Sequence, residues 1–356
     1  MQAIREEIAA HGPIPFDRFM ELALYGPGGF FATEKLRSVA SGDFLTSPEV
    51  SPLFGATLAR FAASERDRIG EPFVVVDLGA GSGSLLASLQ DELPVEAWAV
   101  EASPAARLAL ASVVPSERVL RSIADLPNPT RGVVIANELV DNLPTALAQL
   151  TEGGWRERWV GTENEKFVFV DAPVRPQVGD WIHRFAGPVE LGGWVECQLA
   201  AIDWLEEILA RLSAGTLLII DYGELAENLS HRRPEGTLRT YRAHHLGPHP
   251  LDEPGATDIT SDVNFSALLA TCQEAGWACE LMRQDDFLEL WGLSDRLKEW
   301  RRQELEAAGV DEGLRLRLRS QRTAGETLLR ERGLGDFRVL VASPGNSSPL
   351  PHVKEW

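Results

Sequence analysis

Apolar residues in this chain of 356 recur at two spacings, and the alternation between them predicts an architecture. From Ile4 to Tyr25 they return every three or four positions, the period of a helix with one buried face, and Pro13 with Pro15 divides the stretch into two helices. Thr46-Ser47-Pro48-Glu49 reads as a helix start, with Thr46 three residues before Glu49 as in a capping box, and predicts a helix over about 48–69. Phe73-Val74-Val75-Val76 is instead a continuous apolar, β-branched run. It ends at Asp77-Leu78-Gly79-Ala80-Gly81-Ser82-Gly83, after which Leu85, Leu86 and Leu89 resume helical spacing. The alternation continues with strands at 97–100, near 118–120, 132–136, 216–220, 277–282 and 337–342, and with helices at 104–113, 195–212, 265–275 and within 285–332. Such a run predicts an α/β fold, a parallel sheet covered by helices on both faces.

Two stretches break the pattern. Over 151–190, Trp155, Trp159, Phe167, Val168 and Phe169 interleave with polar residues and predict inserted antiparallel strands. Residues 224–262, rich in Pro, Gly and His, are too long for an idle connection. The expected organisation is a helical region over 1–70, a ligand-binding core over 71–150, a β-rich insertion over 151–190, and the rest of the core over 191–343 with long insertions at 224–262 and 285–332. The tail, from Ser343 on, is expected to be loose.

Composition narrows the function classes. A net charge of -19 argues against a grip on phosphate backbones, so no nucleic-acid partner is expected, while it suits a cationic ligand. Cys197, Cys272 and Cys279 have no paired spacing and read as free thiols. His244, His245 and His249 lack accompanying ligands at fixed spacing, so no metal is expected. No apolar run is long enough for a membrane span, and the opening MQAIREEIAAHGPIPF shows no secretory or import character, so a cytoplasmic protein is expected.

The glycine loop carries the first chemical signal. Glycines between a strand and a helix let the backbone approach a ligand closely at a helix N-terminus. Gly79, Gly81 and Gly83 follow a GxGxG spacing behind Asp77, with Ser84 where a dinucleotide fingerprint wants glycine or alanine, which favours S-adenosylmethionine. Glu101, after the next strand, can accept the ribose hydroxyl protons, and Asp125 can reach the adenine amine or serve as a surface turn residue.

Beyond the loop, the chain resembles the MidA-type methyltransferases, a family that includes a mitochondrial complex I assembly factor methylating a protein arginine. The likeness rests on Tyr25-Gly26-Pro27 with Gly29-Phe30-Phe31, and on Gly42-Asp43-Phe44-Leu45-Thr46-Ser47-Pro48-Glu49 with Phe54-Gly55. It continues through Glu101-Ala102-Ser103-Pro104, Ala136-Asn137-Glu138 with Asp141 and Leu143-Pro144, Asp221-Tyr222-Gly223, Gly236-Thr237-Leu238-Arg239, Pro254-Gly255 and Asp258-Ile259-Thr260. Where the family commonly has Ala-His-Val-Asp-Phe, this chain has Ser261-Asp262-Val263-Asn264-Phe265.

The resemblance implies a class I, Rossmann-like methyltransferase fold with S-adenosylmethionine as cofactor and a protein with an exposed arginine as partner. It places the 42–49 loop over the cofactor as a lid. The expected cofactor residues are Asp43, Phe44, Asp77, Gly79, Ala80, Gly81, Gly83, Glu101, Ala102, Ser103, Asp125 and Asn137. Arginine is almost always protonated, so its methylation wants carboxylates that orient the guanidinium. Glu138 is the expected principal acid, with Asn137, Asp141 one helical turn later, and Asp221 at a strand end beside it. A small-molecule O- or N-methyltransferase, or a silent cofactor-binding assembly factor, would use the same scaffold.

Overall fold

The computed structural model describes residues 1–33, 46–232, 234–242, 245–345 and 350, and its centre is a seven-stranded sheet. Numbered along the chain within this sheet, β1 is Val74–Leu78, β2 Glu96–Val100, β3 Val119–Leu120, β4 Thr130–Asn137, β5 Leu212–Asp221, β6 Trp277–Arg283 and β7 Arg338–Pro344. Their spatial order is β3-β2-β1-β4-β5-β7-β6. All neighbours run parallel except at β7, which is antiparallel to β5 and β6. The order reverses between β1 and β4, opening a crevice beyond their carboxyl ends.

Side chains alternate between the two faces of this sheet as the period of a strand requires. Val75, Val133, Ile135 and Leu218 pack with the helices Leu53–Ile69 and Ser84–Glu92, whereas Val76, Val134, Leu217 and Ile219 pack with Leu199–Arg211 and Phe265–Glu274. The expected α/β core is therefore present, with helices on both faces.

A second antiparallel sheet joins Ile14–Pro15, Ala146–Thr151, Gly154–Glu163, Lys166–Ala172 and Trp194–Cys197. On one face Leu147, Val160 and Phe167 bury Phe16, Phe19 and Met20 of the helix Phe16–Tyr25. On the other, Ala148, Val195 and Cys197 cover Val178, Trp181 and Ile182 of the helix Pro176–Phe185. The inserted sheet thus begins before 151 and ends after 190. Residues 195–197, expected to open a helix, belong to the strand Trp194–Cys197 instead, and the helix starts only at Leu199.

Other boundaries moved for local reasons. The helix expected over 48–69 is two, Ser47–Val50 and Leu53–Ile69, because Pro52 bars the helical region to Ser51, which is extended at φ -154 and ψ 132. Residues 224–262 hold the helix Ala226–Arg232 and a small sheet of Arg239–Arg242, His245–Leu246 and Asp258–Thr260. The tail is not loose from Ser343: Ser343 and Pro344 belong to β7, and Leu350 is buried in the core.

Where β1, β4 and β5 begin, their backbones leave no room for a side chain. Gly132 has φ +148, and a Cβ there would lie 1.8 Å from the Val74 carbonyl oxygen. Gly132→Ala is therefore expected to lower stability by roughly 2–4 kcal/mol, measured as a shifted urea midpoint; an unchanged midpoint would show that the strands can separate at this point without cost.

Candidate active site

The loop after β1 is built from left-handed glycines, with φ of +70 at Gly79, +53 at Gly81 and +85 at Gly83. A Cβ on Gly79 would meet Leu139 Cδ1 at 2.5 Å. Gly83 precedes the helix Ser84–Glu92, so the loop delivers main-chain N–H groups at a helix start.

Glu101 follows β2 and reaches back to that loop. Its Oε2 accepts the Gly81 N–H at 2.9 Å and its Oε1 the Ser103 N–H at 2.7 Å. Burial nevertheless raises its pKa. Asp77, in β1, is 2% exposed, and burial with the neighbouring Glu101 charge pushes its carboxyl well above the usual range.

The chain leaves β4 through Asn137 into Glu138, which sits in the left-handed region at φ +52. A non-glycine residue held there needs surroundings that fix it, and these are present. The Glu138 N–H donates to the Ile220 carbonyl at 2.8 Å. Its carboxylate accepts the Ser47 N–H at 2.8 Å and the Asn137 amide at 3.3 Å. Behind it, the Asp221 carboxylate accepts the N–H groups of Val140 at 2.9 Å, Asp141 at 3.2 Å and Tyr222 at 2.9 Å. Burial pushes the Glu138 carboxyl up to about 7, the Ser47 N–H opposing it and the nearby Asp141 charge adding to it.

A cavity of about 360 Å³ joins these elements, a size usual for small-molecule sites. Asp77, Gly79, Ala80 and Gly81 line it from β1 and its loop, Glu101, Ala102 and Ser103 from the end of β2, and Asn137 and Glu138 from the end of β4. Four expected residues do not line it. Gly83 stands between Ser82 and Ser84, which do line it, but its own Cβ position faces Leu110 and Val113, and Asp125 is exposed at the end of a short turn, where Ser122 and Ile123 face the cavity in its place. Asp141 follows Glu138 in a 3-10 turn, not a helix, so it does not share its face; it accepts the Tyr222 hydroxyl instead. Asp221 is wholly buried behind the turn. Asp43 and Phe44 lie outside the described residues, as does His244.

The site also contains residues that had been given no role or another one. Thr46 makes no capping bond with its side chain, so no capping box forms, and Glu49 instead accepts the Ser82 hydroxyl across 33 residues. Tyr25 and Phe31 line the cavity, as do Trp204 and Glu207 of the helix Leu199–Arg211. The motif Tyr25-Gly26-Pro27 with Gly29-Phe30-Phe31 signalled the aromatic pair and the 42–49 motif signalled Glu49, whereas nothing in the sequence signalled Trp204 or Glu207. Among the described residues no cluster of His, Cys, Asp or Glu could hold a metal ion, and no helix is long and apolar enough to cross a membrane.

The lining acids are Glu49, Asp77, Glu101, Glu138 and Glu207, against one arginine, Arg121, among the described residues. A wall with more acids than arginines suits a positively charged ligand, and the loop with Glu101 suits a nucleoside. Fold and site together define an S-adenosylmethionine-dependent methyltransferase.

Residues 57–282 match the profile of an S-adenosyl-L-methionine-dependent methyltransferase family, and the chain belongs to that family, the MidA-type methyltransferases. A Burkholderia thailandensis protein solved with S-adenosylhomocysteine is 31% identical and aligns with a TM-score of 0.85 over 98% of this chain and 92% of that one. The Drosophila melanogaster homolog of the mitochondrial protein arginine methyltransferase NDUFAF7 is 27% identical over 83% of this chain and 75% of its own length. The Homo sapiens protein of that name is 28% identical over 82% and 73%. The cofactor is thus S-adenosylmethionine. These relatives are named mitochondrial, which overturns the expectation of a cytoplasmic protein.

The charge balance has a pH signature. With its pKa raised from 4.5 to about 7, Glu138 keeps its proton in the folded chain over a range where the unfolded chain has lost it, so its contribution to stability falls as pH rises through that window. A cationic ligand favours the carboxylate and reverses the trend. Thermal stabilisation by S-adenosylmethionine is expected to grow between about pH 6 and 8, that by uncharged-sulfur S-adenosylhomocysteine much less, and Glu138→Gln to narrow the difference; equal responses to the two ligands would contradict the assignment.

Proposed function

We propose that this enzyme transfers a methyl group from S-adenosylmethionine to a guanidinium nitrogen of an arginine in a partner protein. The observation that carries this reading is Glu138, a carboxylate fixed in a left-handed turn on the cavity wall, with its carboxyl pushed up to about 7. The acidic lining and the relatives named as protein arginine methyltransferases support it.

Gly79, Ala80 and Gly81 offer the glycine-loop backbone to the cofactor, Glu101 its ribose acceptor, and Ala102, Ser103, Asp77 and Asn137 the surrounding wall. When bound, S-adenosylmethionine supplies the methyl carbon and departs as S-adenosylhomocysteine. Glu138 accepts N–H bonds from the guanidinium and so fixes its plane. As the new N–C bond forms, the attacking nitrogen must lose a proton, and a carboxylate titrating near 7 can take it and return it to water. Asp221 acts through Glu138, since its main-chain contacts hold the turn.

The reading is tested with methyl-labelled S-adenosylmethionine and a lysate of cells lacking the enzyme, followed by acid hydrolysis of the protein fraction. Label is expected in methylarginine. Glu138→Gln should lower turnover by roughly 10²–10³-fold, more than it weakens cofactor binding. Label confined to methyllysine or to small metabolites would overturn the arginine assignment.

A further inference from the structure

Tyr25 and Phe31 belong to the cavity wall, yet neither contributes charge or a donor to it. Tyr25 ends the helix Phe16–Tyr25, and the chain folds straight back, so that the Phe30 N–H donates to Ala23 at 2.9 Å and the Phe31 N–H to Leu24 at 2.8 Å. The two rings stack at 5.5 Å with 22° between their planes, and Phe30, fully buried, meets Phe31 edge-on at 5.0 Å. The Tyr25 hydroxyl donates to the Asn142 carbonyl at 3.2 Å, which ties the pair to the turn that carries Glu138. Both rings of this aromatic wall are thus held by contacts within the chain itself.

Its electrostatic surroundings are acidic. Burial and the charges of Asp258, Asp141 and Glu101 all raise the Tyr25 phenol. A π face in a negative field attracts a cation, and a planar one can lie flat upon it. The alternative occupant is the adenine ring. The nucleoside acid Glu101 sits at the end of β2, two strand spacings or roughly 10 Å from the Glu138 turn in the sheet order β2-β1-β4, and it is to that turn, at Asn142, that the Tyr25 hydroxyl is bonded.

We propose that Tyr25 and Phe31 form the surface on which the acceptor's guanidinium plane lies while Glu138 takes its N–H groups. The assignment rests on the arginine reading above and makes the aromatic pair the determinant of acceptor class. A planar cation is favoured over a tetrahedral ammonium, and over a neutral group of the same shape.

The test uses the full chain saturated with S-adenosylhomocysteine and titrated calorimetrically with N-acetyl-arginine amide, its citrulline counterpart and its lysine counterpart. Arginine is expected to bind at least about tenfold more tightly than citrulline, which keeps the shape and lacks the charge. Phe31→Leu and Tyr25→Leu should each weaken arginine binding by roughly three- to thirtyfold, with S-adenosylhomocysteine affinity unchanged as the control for folding. Tyr25→Phe, which keeps the ring, should retain arginine binding. Weakened S-adenosylhomocysteine binding with arginine affinity intact would assign the wall to adenine and overturn the proposal alone. A wild-type enzyme that does not distinguish arginine from citrulline would overturn the arginine reading itself, and the proposal with it.

Discussion

Two acids of this site, Glu101 and Glu138, and Asp221 behind them are held by main-chain N–H groups, and much of the site's behaviour depends on that. Glu101 is fixed by Gly81 and Ser103, Glu138 by Ser47, and Asp221 by Val140, Asp141 and Tyr222. Three buried carboxylates elsewhere in the molecule meet an arginine instead: Glu157 meets Arg175, Glu224 meets Arg338, and Glu304 meets Arg322. Amide donors orient a carboxylate without cancelling its charge, so Glu101 and Glu138 remain able to answer a cationic ligand where an ion pair would have satisfied them already. The energetic cost of burying those charges appears as raised carboxyl pKa values at Asp77, Glu101 and Glu138.

The same bonds assemble the site from distant parts of the chain. Ser47 donates across 91 residues to Glu138, and Ser82 donates across 33 to Glu49, so the short helix Ser47–Val50 is fastened at once to the glycine loop and to the end of β4. The inserted sheet is tied in similarly. Glu196 accepts the N–H groups of Thr237 and Leu238, and Gln198 bonds the backbone of Asp262 and Asn264. Hydrogen-bonded junctions of this kind fix one relative placement where an apolar seam would tolerate sliding.

What the sequence made legible was whatever depends on local geometry. A glycine loop needs left-handed backbone, and an acid after the next strand needs only a fixed spacing; Gly79, Gly81 and Glu101 could therefore be read directly. The direction in which a strand-end carboxylate points is not local. Asp141 and Asp221 turn inward to serve Tyr222 and the turn's backbone, because a left-handed residue at Glu138 needs those bonds more than the cavity needs a second acid. The strand Trp194–Cys197 was hidden for another reason: four residues are too few to separate a period of two from one of 3.6 when a helix follows directly. Tyr25 became part of the site only through a contact with Asn142, 117 residues away.

A site charged in this way treats cofactor and product differently. The methyl donor carries a sulfonium charge that the cavity's uncompensated carboxylates stabilise, and that charge disappears from sulfur when the methyl group leaves. Interaction with the fixed negative groups is therefore stronger before transfer than after it, which favours displacement of the product by fresh cofactor. On the proposed arginine reading, the proton affinity of Glu138 rises once the positive charge is gone, so the carboxylate would be a better proton acceptor at the end of the reaction than at its start. Had the carboxylates been neutralised by arginines, as Glu157 is by Arg175 in the inserted sheet, neither asymmetry would exist. Holding them with peptide N–H groups leaves the charge available and still fixes the geometry, and this explains why the turn after β4 keeps a strained residue where glycine would fit more easily.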